Sequence, residues 1–245
     1  MQNKNKYLIG GCMTKILSKE KWRKRRRRKR YAILTLCISL IMIFFAVTAV
    51  IAFDLIRDRV NQNIPETETF VHSLPREATI QLEYLTPNPY SRPQTSLKHV
   101  KSVVVHYTAN PGTSAENNRN YFDNLAETHI TYASSHFVIG LEGEIIQCLP
   151  LTEQSYASND RNDDTISIEC CHPDTTGKFN ESTYDSLVNL TAGLCMEFNL
   201  GKEDIIRHYD VSGKKCPLYF VEHEDEWEAF KEDVMKVVNS SKNTQ

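Results

Sequence analysis

Residues 31–53, YAILTLCISLIMIFFAVTAVIAF, run without one charged side chain, and KRRRRKR at residues 24–30 stands directly before them. A helix of that length rises about 34 Å at 1.5 Å per residue, enough to cross a hydrocarbon core of roughly 30 Å. No other stretch constrains the chain so strongly, because a bilayer separates whatever precedes such a segment from whatever follows it. The alternatives are a buried core helix or a cleaved signal peptide. A signal peptide's apolar region is usually only about 7–15 residues long, and no convincing small-x-small cleavage pattern stands near Ala52. The basic block lies wholly on the N-terminal side, which places residues 1–30 in the cytoplasm and everything after Asp54 outside. The expected topology is a single-pass signal anchor in the cell membrane. A basic block can also serve nucleic acid, but its contact with an apolar run makes topology the simpler cause, and no nucleic-acid partner is expected.

Charge is divided along the same line. Thirteen of the 29 Lys and Arg residues fall in the first 30 positions against Glu20 alone, leaving sixteen basic and thirty acidic side chains in the remainder. The formal charge of -2 therefore conceals a tail near +12 and a remainder near -14. Two compartments account for that asymmetry. Residues 54–95 carry Pro65, Pro75, Pro87, Pro89 and Pro93 with little periodicity, and read as an extracytoplasmic stalk. Its last piece, LTPNPYSRPQ, has enough Tyr and Pro to lie across the surface of the domain that follows. That domain, residues 96–240, is long enough to bury a core without staples. The seven cysteines show no CxxC and no regular spacing, so a disulfide-stapled mini-domain is not expected.

Within residues 96–240 strand and helix signals alternate. Residues 100–107, 135–139, 144–149, 165–171 and 205–209 read as strands, the second and third joined by GLEG as a hairpin. Residues 113–127 read as a helix with a Thr113/Glu116 capping box, and residues 182–198 as a second helix ended by Gly201. Residues 224–238 close the chain as a helix with Trp227, Phe230, Val234 and Val237 facing inward. The expected fold class is α/β, a mixed central β-sheet flanked by helices, preceded by one transmembrane helix.

The chemistry concentrates in IIRHYDVSGKKCP, residues 205–217. His208 and Cys216 stand eight positions apart across a polar loop, and Pro217 stops a helix from running through the cysteine. A neutral imidazole and a thiolate form the mixed N/S set that tetrahedral Zn²⁺ accepts. His106, at the end of the apolar run in VKSVVVHYTAN, offers a third donor. Taken singly each residue has an ordinary structural explanation. Together they count three donors and one open position, the arrangement of a catalytic zinc rather than a four-ligand structural one. Glu169 lies inside the apolar run TISIEC, where an ionised side chain is costly unless it faces a polar site, and alternation puts it on one face with Thr165 and Ser167.

VVVHYTANPGTSAENNRNYF, SSHFVIGLEGEIIQCLP, TISIEC and RHYDVSGKKCP, in that order, resemble the zinc-dependent N-acetylmuramoyl-L-alanine amidases of the phage T7 lysozyme type, whose fold is shared with the peptidoglycan recognition proteins. The resemblance runs over roughly residues 96–240 and leaves the first 95 outside. It implies that His106, His208 and Cys216 hold Zn²⁺, that Glu169 handles the proton of the attacking water, and that Lys214, two residues before Cys216, stabilises the oxyanion. It implies as substrate the amide between the lactyl group of N-acetylmuramic acid and the L-alanine of the stem peptide. Ser135 stands where some members carry a tyrosine before the histidine of SHF, which throws more weight on Glu169. His136 is expected as a pocket or core residue, and His129 and His223 as surface residues. The other readings are a non-catalytic peptidoglycan-binding receptor on the same fold and a zinc peptidase acting on another amide. Cys216 favours the enzyme over the receptor, because binding-only relatives commonly lack that ligand. The expected partners are peptidoglycan and the membrane, with no obligate protein partner.

Overall fold

The structure, a computed structural model, describes residues 79–242 together with Met42, Thr48, Phe70, Leu74 and Pro75. The basic tail, the span of residues 31–53 apart from Met42 and Thr48, and most of the stalk lie outside the described residues. Among those described, no helix is long and apolar enough to cross a membrane.

Six strands form one sheet: β1 (Ile80–Leu82), β2 (Ser102–Tyr107), β3 (Phe137–Ile139), β4 (Ile145–Gln147), β5 (Thr165–Cys170) and β6 (Ile205–Arg207), in the order β1-β4-β3-β5-β2-β6. Only β3 and β4 run antiparallel, as the GLEG hairpin requires, with Gly143 at φ 83° in the turn. The remaining pairs are parallel. The helices are α1 (Ala115–Thr128), α2 (Glu181–Glu197), α3 (His208–Ser212), α4 (Leu218–Glu222) and α5 (Glu224–Lys242). A mixed central sheet flanked by helices is therefore what the chain forms.

β2 and β5 pair in parallel over six residues, and both are covered on either side, which is why VVV and ISI tolerate no alternation with charge. Their two faces differ. Val103, Val105, Ile166, Ile168 and Cys170 enter the main core with Leu187, Leu190 and Leu194 of α2 and Trp227, Phe230 and Val234 of α5. On the opposite face α1 packs Ala115 and Phe122 against Val138 and Ile146, chiefly over β3 and β4. The β5, β2 and β6 portion of that face is left for Ser167, Glu169 and His106.

Several boundaries differ from the sequence reading. The capping box of α1 is formed by Ser114 and Asn117, one residue along from Thr113 and Glu116. The Thr113 hydroxyl is already committed, donating to the Asn110 carbonyl at 2.7 Å and accepting from Asn118 Nδ2 at 2.9 Å. α2 ends through Asn199 at φ 53° with Leu200 N–H donating to the Cys195 carbonyl at 2.8 Å, so Asn199 and not Gly201 carries the left-handed turn. β6 stops at Arg207, because the Asp210 carboxylate accepts from the Arg207 backbone N–H at 2.8 Å and turns the chain into α3. The stretch read as stalk contributes β1, and Leu85, Ser91 and Leu97 close to it are fully or almost fully buried. Arg92 forks onto Glu153 with two 2.8 Å contacts. The folded unit thus begins by Ile80, ahead of residue 96.

Candidate metal centre and active site

His106 is the penultimate residue of β2, Glu169 stands directly across from it in register on β5, and His208 opens α3 where β6 ends. Parallel neighbours in register point to the same face, so the order β5-β2-β6 sets a carboxylate and two imidazoles side by side. The loop after α3 returns Cys216 to them. His106 Nδ1 lies 3.8 Å from Cys216 Sγ and 3.9 Å from Glu169 Oε1, and the two imidazole centroids are 4.7 Å apart. One donor atom from each of His106, His208 and Cys216 falls within 4.8 Å of the others. Tetrahedral zinc with ligands at about 2.0–2.3 Å sets N and S donors roughly 3.3–3.6 Å apart, so the set needs a contraction of at most about 1.5 Å.

The outer nitrogens are held from the loop before β5. His208 Nε2 meets Asn159 Oδ1 at 2.7 Å, and His106 Nε2 meets the Ser158 hydroxyl at 3.4 Å. An amide oxygen accepts, so His208 carries its proton on Nε2 and leaves Nδ1 free as a donor. Asn159 adopts φ 50°, a conformation Asn tolerates better than most residues. The sequence reading did not single out Ser158 or Asn159. Their only signal was a polar run, SNDRND, next to an apolar strand.

Burial holds His106 well below the ordinary imidazole range, helped by His208 and Lys214, and lowers His208 with the help of Lys214. Both rings are therefore neutral, the form that ligates. Burial pushes the Cys216 thiol to about 12, with the Glu169 charge adding to it and a backbone hydrogen bond from Tyr107 opposing it. A divalent cation is the group that reverses this, since it binds the thiolate. Burial likewise raises Glu169 to about 8, against the pull of Lys214, and its Oε2 is buried without a hydrogen-bond partner. Two neutral imidazoles, a thiol and an orphaned carboxylate oxygen are a donor set that fits a zinc ion with a polar group beside it.

All five residues singled out from sequence line one open cavity of about 390 Å³. Lys214 is exposed on its wall, whereas Lys215 turns away to Glu222 at 2.9 Å. Tyr107, Tyr132 and Tyr156 also line the cavity. Ser135 and His136 lie fully buried beneath it: Ser135 Oγ donates to the Ser167 carbonyl at 2.9 Å, and His136 Nδ1 accepts from the Ser167 N–H at 3.1 Å. His136 is thus a core residue, and His129 and His223 are exposed.

The Amidase_2 family, N-acetylmuramoyl-L-alanine amidase, matches residues 96–218, half of the chain. The N-acetylmuramoyl-L-alanine amidase BlyA of Bacillus subtilis (strain 168) is 34% identical over 172 residues, covering 62% of this chain and 45% of BlyA. A probable N-acetylmuramoyl-L-alanine amidase of Bacillus licheniformis is 33% identical over 162 residues, covering 62% and 46%. The chain thus spans less than half the length of these curated relatives. Among solved structures, the catalytic domain of XlyA superposes with a TM-score of 0.55 at 27% identity, over 64% of this chain and 99% of that domain. PlyL gives 0.55 at 26% identity, over 64% and 96%. With its family segment carrying the strands and loops that bring His106, Glu169, His208 and Cys216 together, the chain belongs to the N-acetylmuramoyl-L-alanine amidase family.

Proposed function

We propose that the chain is a membrane-anchored, zinc-dependent N-acetylmuramoyl-L-alanine amidase, hydrolysing the amide between N-acetylmuramic acid and the L-alanine of the stem peptide. The observation that carries this reading is the convergence of His106, His208 and Cys216 beside the buried carboxyl of Glu169 in one cavity. His106, His208 and Cys216 would hold the ion. When bound, zinc supplies Lewis-acid charge that polarises the scissile carbonyl and acidifies a water.

The chain's own groups do the rest. Glu169, with a pKa raised toward the working pH, accepts the proton of the attacking water and returns it to the leaving amine. Lys214, on the cavity wall, donates to the oxygen that gains charge, a contribution of about 3 kcal/mol for one well-placed donor. Burial keeps the two rings neutral, and Asn159 and Ser158 hold their outer nitrogens so that the rings keep one orientation.

The anchor rests on the uncharged run of residues 31–53 behind KRRRRKR, with residues 1–30 cytoplasmic and the catalytic domain outside the cell membrane. The stalk then spans residues 54–79 at most, since β1 starts at Ile80. In that position the domain meets the cell wall.

The test is to purify the full chain, measure bound metal, and read by mass spectrometry the products from peptidoglycan fragments. One zinc per chain, peptides beginning at L-alanine, and loss of both metal and cleavage in His208→Ala support the proposal. Binding without cleavage would make the chain a receptor, cuts within the peptide would make it a peptidase, and full activity after chelation would remove zinc from the mechanism.

A further inference from the structure

We propose that an aromatic strip on the rim of the cavity binds the glycan strand of peptidoglycan, so that the site takes its amide from polymer in preference to one-sugar muramyl peptides. The inference rests on the amidase reading for the substrate, but the strip stands on its own geometry. His129 and Tyr90 stack with centroids 4.3 Å apart and planes 15° from parallel; Tyr90 and Tyr132 follow at 5.1 Å and 27°. Tyr132 then meets Tyr156 edge-on at 5.6 Å. Tyr132 and Tyr156 line the cavity that holds Glu169, so the strip starts there and leads outward to His129. Tyr132 is 60% exposed and Ile130, beside it, 71%. Contiguous exposed apolar surface beside a cleft is a mark of binding.

The strip is built, not incidental. Ala133 N–H donates to the Tyr90 carbonyl at 3.1 Å, and Ser134 N–H to the Tyr156 carbonyl at 3.1 Å. Tyr156 N–H returns a bond to Ser134 Oγ at 2.9 Å. Asn88 Oδ1 accepts from the N–H groups of Tyr90 at 2.8 Å and Ser91 at 2.9 Å, which locks the turn carrying Tyr90. Three distant stretches of chain are thereby stitched together before any ligand arrives, and preorganised rings lose little freedom on binding.

Charge selects the occupant. Residues 86–91, 128–141 and 154–159, which supply the strip, contain no Asp, Glu, Lys or Arg. A stem peptide carries carboxylates and is better met by a cation such as Lys214. A pyranose ring of an N-acetylhexosamine is neutral, and its face of C–H groups packs against the electron-rich face of a phenol while its hydroxyls stay in water. Tyr90 also lies outside residues 96–218, so one of the two inner rings of the four comes from the segment that precedes the family region.

The probe is a β-1,4-linked N-acetylglucosamine hexamer, which has no stem peptide and nothing for an amidase to cut. Calorimetric titration of the purified full chain should show saturable binding. Tyr132→Ala and Tyr90→Ala should each weaken it about fivefold or more, and Tyr132→Phe, which keeps the ring, should retain it. In turnover, Tyr90→Ala should lose about fivefold more kcat/KM on polymeric peptidoglycan than on a one-sugar muramyl peptide, the excess appearing in KM. Absence of hexamer binding by the wild-type chain would overturn the proposal, as would displacement of the hexamer by a sugar-free stem peptide or equal losses on both substrates. A chain that binds the hexamer through these rings yet cleaves neither substrate would refute the amidase reading and support the strip.

Discussion

His136 should set the acid limit of this fold, and replacing it should make the protein less sensitive to acid. The ring is fully buried; Nε2 meets the Glu153 carbonyl at 2.9 Å and Nδ1 accepts from the Ser167 N–H at 3.1 Å. Nε2 must therefore carry the proton, and a second proton on Nδ1 would break the bond from the Ser167 N–H and have only the Ser167 hydroxyl, 3.0 Å away, to accept it. Burial is the larger cause of the depressed pKa, which falls from 6.5 to about 4 while the Glu153 carbonyl opposes it. The unfolded chain takes up the proton first as pH falls. The stability from a neutral His136 is thus complete above pH 6.5 and is lost on acidification toward pH 4. That interval is worth roughly 3 kcal/mol at about 1.4 kcal/mol per pH unit, of which about 2.5 kcal/mol is gone by pH 4.5.

His136→Asn keeps an acceptor near Nδ1 and cannot titrate. At pH 7.5 it should cost about 2 kcal/mol through the orphaned Glu153 carbonyl and the space left by the ring. Denaturant unfolding of chelator-treated wild type and variant at pH 7.5 and 4.5 measures both numbers. The wild-type advantage should shrink by about 2.5 kcal/mol between the two pH values. An advantage unchanged by pH would mean that His136 is not held neutral, and the reasoning from the Ser167 donor would fail.

On the proposed mechanism, Glu169→Gln should keep the metal content of the wild type and lose about 10²- to 10⁴-fold in turnover, because it would remove the proton carrier without removing a candidate metal donor; metal analysis and single-turnover hydrolysis report the two separately. A wild-type rate would leave Glu169 merely structural. Asn159→Ala should weaken zinc about 10- to 100-fold, read by competition with a coloured chelator, since His208 loses the partner that orients its ring. Unaltered affinity would show that α3 alone orients His208.

The apolar runs made much of the architecture legible. Three valines before His106 and two isoleucines around Ser167 have no home but a strand covered on both sides, and the Trp227, Phe230, Val234 spacing allows only a helix with one buried face. Caps were less legible, because Thr113 and Ser114 are both competent and only the local turn decides which hydroxyl is free. β1 was hidden altogether: three residues in a proline-rich stretch carry no period, and they become a strand because β4 offers an unpaired edge.

The donor types of the site follow from residue chemistry, so His106, His208 and Cys216 stand out together as candidate N/S donors before any fold is known. Their company does not. That Glu169 faces His106 depends on the register of β2 and β5, that Lys214 and not Lys215 reaches the cavity depends on Glu222, and that Asn159 grips His208 depends on a loop folding over the sheet. The sequence by itself determined most of the longer strands and helices and which side chains could offer metal donors, because those follow from local pattern and side-chain type. Only the tertiary structure decided which of them meet, because register, edge pairing and loop closure are set by contacts between residues far apart in the chain.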